Sequence, residues 1–316
     1  APFGPPALLG YDILNNVKLC ILGASFLGPN AVAILDEGGG VIQNIGLPFP
    51  AIGGLIWDWD NKICKIRMQN QQEAIINLGP LAWGGAATIS FAAYGSRTRW
   101  FPVVDRMNGW ECAVYAGGRD VWIYDHINNA LVTTVTLSAR VIRRPVFDDQ
   151  RKVLCLTLAN RRLAYINTWK LRLGYPIAQW LYYSPVLATH VVGLPVFDLY
   201  NHHTLVKLWG GRLAVINNDD AVLVWDSGWL PYWPVGPIQI DCYNKIGKGF
   251  FRDAANYYEM WCDFYPLVFG GVPILRWLPV PGVPYGYPLF DSKDGYEFYR
   301  NDFDRIVYTN LFNPLV

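Results

Sequence analysis

This sequence predicts an all-β fold: a single β-propeller of seven four-stranded blades, with six or eight blades as the alternatives. Two observations carry the prediction. The first is a short phrase, proline followed by two apolar residues and an aspartate. It occurs at Pro102-Val103-Val104-Asp105, Pro145-Val146-Phe147-Asp148, Pro195-Val196-Phe197-Asp198 and Pro288-Leu289-Phe290-Asp291. Looser versions end at Asp12, Asp58 and Asp241, the last within Pro237-Ile238-Gln239-Ile240-Asp241. The second is spacing: Asp12, Asp58, Asp105, Asp148, Asp198, Asp241 and Asp291 lie 46, 47, 43, 50, 43 and 50 residues apart. A period of about 40 to 50 residues with strand-like filling marks a propeller, one blade per repeat.

Repeat four justifies the blade element by element. Strand A is expected over 144–147, a turn at 148–150, strand B over 152–158, a turn at 160–161, strand C over 163–166 and strand D near 177–182. Apolar alternation and β-branched or aromatic residues support the strands, and Asp, Asn and Gly clusters mark the turns. Repeat three places its strand D at 131–136, rich in Val and Thr. Arg119, Arg162, Arg212 and Arg305 each lie 14 residues after their marker aspartate and open strand C. The segment 242–258 reads as an insertion and 279–288 as an extended, proline-rich connection. The seventh repeat has only 25 residues after Asp291, enough for strands at 296–300 and 306–309.

The stretch 113–135 runs as an apolar strand, the turn Gly117-Gly118, a second strand ending at Asp125, the turn Asn128-Asn129 and a β-branched outer strand. In this it resembles the YVTN-type propeller repeats. The likeness is good in repeats three and four, partial in one, five and seven, and poor in two and six. The resemblance implies a surface or secreted propeller, archaeal or archaeal-virus-like; such repeats also occur in unrelated propeller enzymes, so it speaks to fold more than to activity.

Composition narrows the functional classes. A net charge of +1 provides neither a basic field for nucleic acid nor an acidic one for cationic ligands. Charged residues are 16% of the chain, against about 25% in ordinary soluble domains. Aromatic residues are 15%. That balance is expected of a propeller whose outer surface is covered by another molecule. Stretches 74–96 and 173–197 lack charges, but internal glycines and prolines exclude membrane-spanning helices. The chain opens Ala1-Pro2 without a basic, then apolar leader, as expected of a mature, processed protein. Arg outnumbers Lys 17 to 9, compatible with a thermophilic source.

Cys20, Cys64, Cys112 and Cys155 fall 8, 6, 7 and 7 residues after their markers, so they are expected in one strand of successive blades as core residues. Blades packed about 10 Å apart exclude disulfides between them. Cys242 and Cys262 share a repeat and could pair. The recurring aspartates are read as turn initiators that accept backbone hydrogen bonds, in preference to a ring of metal ligands. The four arginines are read as structural, pairing with carboxylates of adjacent blades or packing on aromatics, with an anion- or partner-binding ring as the alternative. His126 follows a strand-C aspartate and belongs in a turn, and His202-His203 point to opposite faces of a strand. Zinc, EF-hand, phosphate-loop and serine-hydrolase spacings do not occur. No catalytic residue, cofactor or metal is therefore assigned.

The expected organisation is one propeller domain over 1–316. Residues 1–11 form an apolar segment that closes the ring or crosses to a neighbouring subunit, and 292–316 form a short seventh blade. The apolar, proline-containing stretches 1–9 and 311–316 are expected to be held by a contact instead of fraying. The functional expectation is a non-enzymatic structural or adhesive protein, extracellular or on a virion or cell surface. It would be a subunit of a filament, surface layer or virion appendage, with copies of itself as partners. The alternative is a propeller enzyme or ligand binder, lactonase-like, with a metal in the central channel.

Overall fold

The structure, a computed structural model, describes residues 7–12, 17–22, 31–36, 40–49, 56–58, 61–68, 70–93, 102–114, 118–199, 201–241, 245–280, 282–291, 296–301 and 306–310. The chain divides into two compact units, Ala1–Leu137 and Ser138–Val316. Each is a series of antiparallel sheets whose strands pair in chain order. The first unit holds three four-stranded sheets and the second holds three more, followed by a sheet with three strands among the described residues.

The marker aspartate is the last residue of the first strand in all seven sheets, as in Val103–Asp105 and Val196–Asp198. Burial follows strand position. In the fourth sheet Val153–Thr157 is buried throughout, Leu163–Asn167 nearly so, and the outer strand Leu181–Tyr183 is half-buried. Each unit has its core between faces of successive sheets. Val32, Ile34, Ile66 and Ile76 pack together in the first unit, and Cys155, Tyr165, Val206 and Ile216 in the second. Each such aliphatic side chain contributes about 1.5–3 kcal/mol by leaving water.

Several expectations need correction. In the fourth repeat, 177–180 is a helical turn, Ile177–Trp180, and the outer strand is Leu181–Tyr183. A second helix, Thr168–Arg172, precedes it because Asn167 caps it, its Oδ1 accepting from the Lys170 N–H at 2.9 Å. Within the inserted segment 242–258, Ile246–Arg252 is a strand buried up to its last residue and two residues longer than Val153–Thr157, 253–256 form the turn that follows it, and 257–258 open the next strand. Gly247 is needed in Ile246–Arg252 because a Cβ there would collide with the Phe264 ring. Most of 279–288 likewise belongs to the strands Ile274–Val280 and Pro284–Asp291.

Of the segment 1–11, Ala7–Tyr11 belong to the strand Ala7–Asp12, which pairs with Val17–Leu22 as the first strand of its sheet, and 1–6 lie outside the described residues. In the last sheet Tyr296–Asn301 and Ile306–Asn310 follow Pro284–Asp291, and 311–316 lie outside. All four cysteines of the regular repeats fall in second strands, but not on one face. Cys64 opposes Trp57, whereas Cys112 and Cys155 oppose Val103 and Val146, one step displaced. Cys64, Cys112, Cys155 and Cys262 are buried free thiols, and burial pushes each thiol pKa up. Cys242 lies outside the described residues.

Candidate functional site

The marker aspartates act first on the chain beside them. Asp105 accepts from the Asn108 N–H at 3.3 Å and the Asn108 side-chain amide at 2.6 Å, and Asp58–Asn61 and Asp198–Asn201 repeat the arrangement. Asp148 accepts from the N–H groups of Gln150 and Arg151, both at 3.0 Å. The next turn residue takes a left-handed conformation: Lys62 at φ 56°, Gly109 at 66°, Lys152 at 58°, His202 at 57° and Lys245 at 60°. Its carbonyl accepts the N–H that follows the third strand, from Leu78, His126, Thr168, Asn218 and Phe264. The turn thus adds one rung beyond the ladder between the second and third strands. Asp241 is buried, and Asp12 and Asp291 end their strands.

The arginines do not form one kind of contact. Arg119 is exposed, and its Nε donates to the Leu137 carbonyl at 2.8 Å. Arg162 is half-buried where the third strand begins, its carbonyl accepting from the Leu158 N–H at 2.9 Å. Arg212 forks to Asp226, with Nε at 3.2 Å from Oδ1 and Nη2 at 2.8 Å from Oδ2. It also lies over the Trp229 ring at 5.5 Å. Asp226 belongs to the outer strand of the same sheet, not to an adjacent one. Arg305 lies outside the described residues.

The densest ionisable cluster joins the second and third sheets of the first unit. Lys65 and Arg67, two apart on one strand, share a face. Lys65 Nζ lies 2.9 Å from Glu111 Oε2 and 3.4 Å from Glu73 Oε2, and Arg67 Nη2 lies 3.5 Å from Glu111 Oε1. His126 bridges onward, Nδ1 to Glu111 Oε2 at 3.2 Å and Nε2 to Asp58 Oδ2 at 3.6 Å. Lys65, Glu73, Glu111, His126 and Asp58 are fully buried. Burial, reinforced by Glu111, pushes the Glu73 carboxyl up to about 7. Burial acts upward on Glu111 as well, but the hydrogen bond to His126 and the charges of Lys65 and Arg67 outweigh it and hold Glu111 at about 2. With no side chain open to a ligand, the arrangement links two sheets.

The surface carries a different chemistry. Pro80-Leu81-Ala82-Trp83-Gly84-Gly85 and Pro266-Leu267-Val268-Phe269-Gly270-Gly271 fold alike, as 3-10 turns Gly79–Trp83 and Tyr265–Phe269. In each, the first glycine is left-handed, at φ 73° and 72°, and the second donates to the proline carbonyl. Each turn leaves an aromatic residue in water, Trp83 at 91% exposure and Phe269 at 74%. In the second unit a half-open cavity of about 510 Å3 is lined by Trp209, Gly210, Gly211, Trp233, Pro234 and Arg252, among others.

No protein-family model matches the sequence, and no curated protein matches it either. Solved structures do, across 1399 chains. BamB from Moraxella catarrhalis is similar with a TM-score of 0.60 at 11% identity, over 95% of this chain and 83% of that one. The β-propeller domain of Cps50 (Swd1) from Myceliophteria thermophila gives 0.58 at 10% identity, over 98% of each chain. Dihydro-heme d1 dehydrogenase NirN, in complex with DHE, gives 0.63 at 14% identity, over 98% of this chain and 63% of that one. The fold is a β-propeller. At these identities the likeness carries the fold alone, and function has to be argued from the propeller's own residues.

The sequence expectation includes the turn aspartates and an aromatic-rich surface, but not the two turns that hold Trp83 and Phe269. A signal existed, since the Pro-Leu-x-aromatic-Gly-Gly phrase occurs twice. It begins 22 residues after Asp58 but 25 after Asp241, so counting from the markers did not align the copies. The same two blades also share a buried lysine seven residues after the marker, Lys65 and Lys248, facing Glu73 at 3.4 Å and Glu259 at 3.3 Å.

Proposed function

We propose that this propeller is a non-enzymatic structural or adhesive protein, a subunit of an extracellular filament, a surface layer or a virion appendage. It assembles with copies of itself through aromatic-rich surfaces. The observation that carries this reading is the twice-built turn that holds Trp83 and Phe269 in water. Burying either ring in a partner gains about 2–3 kcal/mol, and its backbone is already ordered by the Pro-to-Gly hydrogen bonds, so little entropy opposes docking. The low share of charged residues and the YVTN-like repeats, which imply a surface or secreted setting, support the same reading.

Sedimentation analysis at rising protein concentration tests the proposal. Self-association that weakens about tenfold or more in a Trp83→Ser, Phe269→Ser double variant is expected, given the area each ring buries. A monodisperse monomer at high concentration would overturn it.

A further inference from the structure

The cavity in the second unit has a chemistry that specifies its ligand. One wall is the turn Trp209-Gly210-Gly211, and the other is the start of Trp233–Asp241, which bulges between Pro234 and Ile238. Arg252 lies opposite Trp233 in the ladder and completes the lining. The floor is rigid by construction. Gly210 and Gly211 are both left-handed, at φ 83° and 78°. A Cβ at 210 would overlap the Trp229 ring, and one at 211 would come within 2.7 Å of the Tyr232 carbonyl oxygen. Tyr232 is itself fixed, stacked on Tyr258 at 3.9 Å and edge-on to Trp277 at 4.9 Å.

Two features narrow the ligand class. Trp209 and Trp233 remain 69% and 59% exposed, so the site presents indole faces without enclosing what sits on them. An acyl chain or a drug-like aromatic is held by burying about 70–90% of its surface, whereas indole faces this open favour a ligand that keeps one side in water. A ring with one C–H face and polar groups turned to water suits it, because polarised C–H bonds are attracted to the negative face of an indole. The second feature is charge. The Arg252 side chain is exposed and makes no ion pair or hydrogen bond with a described residue, and the lining includes no carboxylate. A guanidinium in that state matches a planar carboxylate, which it binds through two parallel hydrogen bonds.

We propose that this cavity binds a sugar ring bearing a carboxylate, such as a uronic acid residue of an acidic polysaccharide. Trp209 and Trp233 take the ring's C–H face and Arg252 forks the carboxylate. The inference goes beyond self-assembly and does not depend on it, since none of these residues belongs to the twice-built turn.

Isothermal titration calorimetry of the full chain with three probes decides the matter: trigalacturonate, maltotriose and decanoate. Trigalacturonate is expected to bind and the other two to bind at least about tenfold more weakly. Arg252→Gln is expected to weaken trigalacturonate about tenfold or more, with Arg252→Lys between it and the parent, because lysine keeps the charge and loses the fork. Trp233→Ala and Trp209→Ala are each expected to abolish the signal, and the exposure of both side chains leaves the melting temperature unchanged. Equal binding of maltotriose, stronger binding of decanoate, no binding of trigalacturonate, or an Arg252→Gln variant that binds like the parent would each overturn the proposal.

Discussion

Lys65 Nζ stands 2.9 Å from Glu111 Oε2 with both side chains fully buried, so one ion pair joins the second strand of one sheet to that of the next. Removing one partner of such a pair leaves a charge without compensation in a dry interior, at a cost of about 3–5 kcal/mol. Replacing both by apolar residues of similar volume removes the desolvation penalty along with the attraction. Lys65→Met is therefore expected to destabilise the chain by that amount. Lys65→Met with Glu111→Leu should lose less than the sum of the two single losses, without returning to the parent, because Glu111→Leu also deprives Arg67 and His126 of their partner. Urea denaturation of the double variant and both single variants measures the difference, and additive losses would show that the pair is not coupled.

The two glutamates of this cluster shift in opposite directions, which shapes stability against pH. Glu73 has its folded pKa raised from 4.5 to about 7, so the folded chain holds a proton that the unfolded chain has released. Its contribution is full below about 4.5 and is lost as pH rises toward 7. Glu111 is held at about 2, so its contribution is present above 4.5 and is lost as pH falls. Together they place the maximum of this cluster's contribution near pH 4.5 to 5. Glu73→Gln is expected to remove the decline between pH 5 and 7 and to stabilise the chain at pH 7 by at most about 3 kcal/mol. Calorimetric melting at several pH values checks this, and an unchanged slope in Glu73→Gln would refute the assignment.

Why the turns were legible and the cluster was not has a physical basis. A tight turn after the first strand needs a carboxylate to hold two or three amide groups, so Asp recurs wherever a sheet recurs. That demand is local and prints itself on the sequence at Asp58, Asp105 and Asp198. The ion cluster answers to no local demand. Lys65, Cys112, Cys155 and Lys248 all sit seven residues after their markers, and what each faces depends on the neighbouring strand and sheet: Glu73 and Glu259 come from the third strands of the lysines' own sheets, Glu111 from the next sheet. The cavity was hidden for a related reason. Trp233 and Arg252 meet through the ladder of one sheet, while Trp209 and Gly210 belong to the turn of another. Repeat four misled in its outer strand because Asn167 supplies a helix cap, and the two short helices that follow push the strand back to Leu181–Tyr183.

Gly210 carries two constraints at once, a φ of 83° and the Trp229 ring lying where a side chain would begin. Gly210→Ala must meet the left-handed penalty of about 1–2 kcal/mol and also displace Trp229, which lies over Arg212 and its partner Asp226. A total loss of about 2–3 kcal/mol is expected, the part above the backbone penalty coming from swinging the largely exposed Trp229 ring off Arg212. Gly228→Ala is the control, since it shares the left-handed backbone at φ 66° but has open space around its Cβ. Only the smaller penalty should appear there. Equal losses in the two variants, read from urea midpoints, would remove Trp229 from the account.

The turn after each first strand predicts its own mutational pattern. Asp105 is fully buried and accepts from both the Asn108 N–H and the Asn108 side-chain amide. Asp105→Ala leaves those donors unmet and is expected to cost about 1–3 kcal/mol. The left-handed residue that follows is a different matter. Gly109 occupies a position held elsewhere by Lys62, Lys152 and Lys245 at nearly the same φ, and a Cβ there meets nothing within 4 Å. Gly109→Lys should therefore cost no more than about 1–2 kcal/mol, the intrinsic price of that conformation. The reverse change, Lys152→Gly, relieves the conformation but frees the unfolded chain, so a net effect within about 1 kcal/mol is expected. Urea unfolding of the three variants should rank them with Asp105→Ala the most destabilised. A Gly109→Lys variant that unfolds before it would mean that this turn is not equivalent to those at Lys62, Lys152 and Lys245.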